Sequence, residues 1–70
     1  MTRRPQALDV VALLRDLPDL GLEKGQVGTV IDDGGATLLV EFADADGKAF
    51  ATPTLAVADI MVLRFEPAMA

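Results

Sequence analysis

The chain of 70 residues contains no cysteine, histidine, tryptophan or tyrosine, and no serine. Without cysteine there is no disulfide and no thiolate metal site, and nothing points to an oxidising compartment. Without histidine the commonest zinc ligand and the commonest acid–base group are both missing. Nucleophilic catalysis is left with threonine, lysine or a carboxylate, and no triad can be assembled from those alone. The expectation is a protein with no catalytic residue, no metal ligand and no bound cofactor.

Aromatic residues are scarce as well, with three phenylalanines and nothing else. A proline-peptide groove of the usual aromatic-lined kind therefore cannot be built. Six scattered Lys and Arg residues are set against 11 acidic ones, for a net charge of −5. That balance repels a phosphate backbone, and the basic-plus-aromatic pattern of a nucleic-acid surface is missing. No small-molecule substrate is indicated. No apolar run approaches the roughly 20 residues that span a bilayer. The opening "MTRRPQALDVVALL" has a basic front and an apolar stretch, but Asp9 interrupts it and no small-residue cleavage site follows before Arg15 and Asp16. The reading is a cytoplasmic protein without a leader.

What is present is apolar. Hydrophobic residues make up 51% of the chain, at the upper end for a soluble domain. A domain this small buries only about 60 to 65% of the surface its unfolded chain exposes. One core of this size rarely supplies more than about 3 to 5 kcal/mol unless a disulfide, a metal or a second subunit contributes. Of those aids, self-association is the one the composition leaves open.

Turn residues cluster at Pro18 to Gly25, Asp32 to Gly35, Asp44 to Gly47 and Pro53 to Asp59, with apolar runs of strand length between them. The first run, "LDVVALLRDL", also fits helical spacing through Val10, Leu13, Leu14 and Leu17. The adjacent β-branched Val10 and Val11 favour a strand, with Leu8, Val10, Ala12 and Leu14 on one face. In "GQVGTVID" the two faces carry Val27, Thr29 and Ile31, and Gly28 and Val30, and the glycines are expected at barrel corners. "ATLLVEF" alternates cleanly, Leu38, Val40 and Phe42 against Thr37, Leu39 and Glu41. "KAFATPT" contains Pro53, which cannot donate to a ladder and so implies an edge or a strand end. "TLAVAD" is short enough for one helical turn before the last run, "IMVLRF". The whole chain, residues 1–70, is thus predicted to be a single all-β domain. It is expected to form a small five-stranded SH3-like barrel, with a long loop between strands 1 and 2 and a short helical turn before the last strand. Residues 1–6 and 66–70 are expected as frayed tails, the first carrying the solvated pair Arg3 and Arg4.

Two motifs resemble chemical sites. "DADG", Asp44 to Gly47, opens like a calcium loop, but the twelfth loop position is Leu55 where a Glu is needed, so a hairpin turn is expected. "EKGQVGTV" is glycine-rich but leads into a strand, whereas phosphate cradles lead into a helix N-terminus. Asp32, Asp33, Asp44, Asp46 and Asp59 lie at turns, where local hydrogen bonding favours aspartate. A convergence of Asp32, Asp33, Asp44 and Asp46 at one end of the barrel is the arrangement that would make them a site.

The stretches "LDVVALLRDLPDLGLEKGQVGTVI", "VEFADADGKAF" and "TLAVADIMVL" resemble a small bacterial domain-of-unknown-function family, forty-nine twenty-six in its usual numbering. The likeness runs from Leu8 to Leu63. Its most specific elements are Asp9-Val10-Val11, Leu17-Pro18, Gly21-Leu22, Gly25 with Val27 to Val30, and Glu41-Phe42 ahead of Asp46-Gly47. This resemblance implies an SH3-like fold of five strands and implies no activity.

The remaining signal is an apolar surplus. With Leu8, Val10, Leu14, Val30, Leu38, Val40, Phe42, Phe50 and Val62 filling the interior, Val11, Leu13, Leu39 and Met61 point outward. These four are the candidate protein interface, unless the loop carrying Leu17, Leu20 and Leu22 folds over them. The functional expectation is a non-catalytic module acting by self-association or by binding another protein. The alternatives are a neutralising partner of antitoxin or immunity type for a basic effector, suggested by small size and acidity, and a nucleic-acid- or ribosome-associated barrel, suggested by fold likeness alone.

Overall fold

The computed structural model describes residues 4–64. Six strands follow in order: β1 (Val10–Leu13), β2 (Val27–Asp33), β3 (Thr37–Ala43), β4 (Ala49–Ala51), β5 (Thr54–Ala56) and β6 (Ile60–Val62). One 3-10 turn, Pro18–Leu20, lies in the long loop between β1 and β2, and another, Val57–Asp59, immediately precedes β6. The protein is all-β, and every pairing is antiparallel. β1 is a strand, which settles the ambiguity of the first run.

The sheet runs β4-β3-β2-β1-β6, with β5 also paired to β3. Phe42 faces Ala51 and Leu39 faces Thr54 along the same edge of β3. Between them the Val40 N–H donates to the Pro53 carbonyl at 3.0 Å. The expected fourth strand is therefore interrupted at the proline, which accepts a ladder bond but has none to give. Six strands stand where five were expected. The two ends of the sheet are β6 and the β4–β5 edge, and no pairing among the described residues joins them.

Val11, Leu13, Leu22, Val30, Leu38, Val40, Phe42, Leu55 and Ile60 form one buried cluster, with Leu17, Val57 and Val62 packed against it. Val30, Leu38, Val40 and Phe42 are where the alternation placed them. The first strand is the opposite of the expectation: Val11 and Leu13 are buried, Leu14 is exposed and Leu8 is 80% exposed. Phe50 is exposed too. The long loop does fold over the core, through Leu22, which is wholly buried; paired hydrogen bonds link Leu17 and Leu22, N–H to C=O at 2.8 and 3.1 Å. Leu20 remains exposed.

The cause of the reversed first strand lies in its length and its neighbours. β1 is only four residues long, and all four are apolar, so alternation cannot distinguish its faces. Asp9 and Arg15 share the parity of Val11 and Leu13, which makes that face read as the wet one. Alternation fails at both ends of β1. Leu8 has φ +74° and steps out of the extended region. Beyond Leu13 the chain leaves the sheet. Register decides instead: Val11 faces Gly28, and the space a side chain at Gly28 would take is filled by the buried Val40 and Phe42, which puts this pair on the inner face.

Gly28 is a contact position more than a corner. A Cβ there would lie 2.8 Å from the Glu41 carbonyl oxygen, 2.8 Å from Val40 Cγ1 and 3.0 Å from Phe42 Cδ2. The bulge in the β2–β3 ladder falls between Val30 and Asp32, at Ile31. Of the residues expected to fray, 1–3 and 66–70 lie outside the described residues. Residues 4–6 are held: Pro5 is buried, the Gln6 N–H donates to Asp9 Oδ2 at 2.8 Å, and Arg4 is paired as described below.

Candidate functional site: the outer face of the sheet

The pairings that turn Val11, Leu13, Ile60 and Val62 inward turn Val10, Ala12 and Met61 outward. Ala12 stands between Met61 on one side and Val27 on the other. Met61 is 49% exposed and Val27 51%. The small Ala12, itself buried, lies at the bottom of the valley between these two larger side chains. In the next row Val10 pairs with Thr29, and Leu63 donates its N–H to the Val10 carbonyl at 2.9 Å. The result is an apolar stripe three strands wide on β6, β1 and β2.

Of the four residues predicted for an interface, the structure thus sends Val11 and Leu13 into the core and leaves Met61 on the stripe. Leu39 is outward and half-buried, but Thr29 and Glu41, paired with each other across β2 and β3, separate it from Met61. Val27 and Val10 belong to the stripe and were missed. The signal for Val27 was legible: Gly28 and Val30 share the face opposite to it, and a glycine pressed against the neighbouring strand marks the inner side.

Leu39 belongs to a second feature. Across the sheet it stands between Asp32 on β2 and Thr54 on β5. These three, with Gly34 and Thr37, line a shallow pocket of about 200 Å³.

The turn aspartates do not converge. Asp32 and Asp33 lie at one end of β3 and Asp44 and Asp46 at the other, about 20 Å apart for a strand of that length. Each turn uses its carboxylate locally. Asp44 Oδ1 accepts the N–H groups of Asp46 and Lys48 at 2.9 and 3.0 Å, which closes a hairpin. Asp33 Oδ1 accepts the Gly35 N–H at 2.9 Å and pairs with Arg4 Nη2 at 2.6 Å; the same Arg4 nitrogen donates to the Gly35 carbonyl. The Arg4 hydrogen bond, aided by that of Gly35, holds the Asp33 carboxyl below the usual carboxylate range. Asp59 is held low in the same way by Arg15, whose Nε and Nη2 donate to its two oxygens at 2.9 and 3.0 Å. That pair ties the end of β1 to the turn before β6. No group of three or more His, Cys, Asp or Glu among the described residues is arranged to hold a metal ion. Among them, too, no helix is long and apolar enough to cross a membrane.

No curated protein and no solved structure is detectably similar to this chain. The family described as "Domain of unknown function (DUF4926)" matches residues 7–62, a span that includes every strand, the long loop and both outer-face features. The chain belongs to that family.

Proposed function

We propose that the protein is a non-catalytic association module that joins copies of itself through the apolar stripe on β6, β1 and β2. One observation carries the reading: Met61 and Val27, flanking Ala12, are each about half exposed. The composition adds a motive, because a core of this size gains from a second subunit when neither disulfide nor histidine-based metal site is available.

The size of the stripe sets the strength. Three strands at about 4.8 Å spacing and four residues at about 3.3 Å rise cover roughly 200 Å². A standard interface takes about 800 Å² from each partner. The association is therefore reversible and concentration-dependent. Sedimentation equilibrium over a wide concentration series tests this. The weight-average mass should climb with concentration for the native chain and stay monomeric for Met61→Asp and Val27→Asp. A native chain that remains monomeric up to roughly millimolar concentration, where even weak protein pairs associate, refutes the proposal.

A further inference from the structure

We infer that the pocket beside the β2–β3 hairpin is a seat for an arginine side chain of a partner polypeptide. It is distinct from the self-association stripe and does not depend on it. Asp32, Leu39 and Thr54 lie side by side on three adjacent strands, and Thr37 and Gly34 complete the lining. Leu39, half-buried, forms the floor. Its surface suits the aliphatic stem of a long basic side chain, which packs its methylenes while the charged head stays at the rim.

The head has a counter-charge waiting. No side chain among the described residues pairs with Asp32, whereas Asp33, the next residue, is already taken by Arg4. The hairpin thus holds one guanidinium through a carboxylate and the Gly35 carbonyl. The Asp32 side offers a carboxylate with the hydroxyls of Thr37 and Thr54 as further acceptors. Gly34 leaves the mouth open, and Thr54 stands on an edge strand that another chain can approach. An anionic ligand would meet Asp32 and a net charge of −5, which favours a cationic occupant over a phosphate or carboxylate.

The test uses the full chain, isotope-labelled for amide NMR at a dilution where it is monomeric, and titrates it with a doubly blocked arginine. Blocked citrulline, which keeps the shape and lacks the charge, is the control. Shifts should concentrate on Asp32, Thr37, Leu39 and Thr54 and saturate in roughly the millimolar range, as one exposed ion pair with a stem contact allows. Citrulline should leave them unmoved. Asp32→Asn should weaken arginine binding by about two- to five-fold, while Asp46→Asn, at the far end of β3, should leave it unchanged. Both positions are exposed, so neither variant threatens the fold, and the amide spectra report that directly. Equal shifts with citrulline, equal losses in the two variants, shifts spread over all acidic turns, or no shifts at all would overturn the inference. Because the mass series and this titration read different residues, either idea can fail without the other.

Discussion

Replacing Gly28 with alanine puts the packing argument at risk most directly. In an ordinary strand this substitution helps: it removes backbone freedom from the unfolded chain and stabilises by about 0.4 to 1 kcal/mol. Here the new methyl would sit 2.8 Å from a backbone oxygen, that of Glu41, and 2.8 Å from Val40 Cγ1, with Phe42 Cδ2 at 3.0 Å. The Val40 and Phe42 side chains are buried and the Glu41 carbonyl belongs to the paired strand, so nothing nearby is a flexible end that can swing aside. Overpacking of this kind costs about 1 to 3 kcal/mol. After the unfolded-state gain is subtracted, the net loss is about 1 to 2 kcal/mol, a large part of what so small a core supplies. For a domain of this length each kcal/mol moves Tm by about 4 to 8 °C, so the midpoint should drop by roughly 5 to 15 °C. Thermal and urea unfolding followed by far-ultraviolet circular dichroism measure both quantities. An unchanged or raised Tm would show that β2 and β3 are not in close contact at this position, and would refute the assignment of the inner face of β2.

Leu22→Ala should cost about 2 to 5 kcal/mol and leave much of the protein unfolded at room temperature, whereas Leu20→Ala in the same loop should change the urea midpoint little; equal effects would mean the loop does not dock through Leu22. Leu8→Gly should stabilise by about 0.5 to 1 kcal/mol, because Leu8 is exposed at φ +74° and a left-handed leucine carries roughly 1 to 2 kcal/mol of strain; a loss of stability would show that its side chain makes contacts that matter. The pH dependence follows from Asp33 and Asp59, whose carboxyls are held low by Arg4 and Arg15. Groups depressed in the folded state add stability above the unfolded carboxylate pKa of about 3.9, and lose it as pH falls through their lower folded values. The urea midpoint should therefore be level from neutral pH down to about 5 and fall below about 4, and Arg15→Gln should flatten part of that fall; an identical acid profile in the variant would remove Asp59 from the explanation.

Much of the architecture was legible in the residues because turns and alternation are local properties. The Asp-Gly-rich turns separate the strands where the sequence places them, and β3, with polar residues on one face and large apolar ones on the other, declared its inner side. Pro53 announced the edge it occupies, and the "TLAVAD" turn announced the 3-10 turn before β6. The missing cysteine and histidine exclude disulfides and thiolate or imidazole ligands by composition alone.

β1 shows where that reach ends. Its four apolar residues satisfy period two in either sense, and the choice between Val10 with Ala12 and Val11 with Leu13 was made by pairing with β2, where Val11 falls opposite Gly28 on the inner face. Leu22 and Ile60 entered the core for a similar reason: burial depends on which loop and strand close over the sheet, and no window of neighbouring residues contains that information. The outer-face stripe and the Asp32 pocket depend on registers between strands far apart in sequence, Ala12 and Met61 being 49 residues from each other. Composition and local pattern determined the strand-and-turn layout and excluded disulfides and thiolate or imidazole ligands. Only the tertiary structure decided which of its many apolar residues face outward, because a strand that is hydrophobic on both sides takes its orientation from its partners.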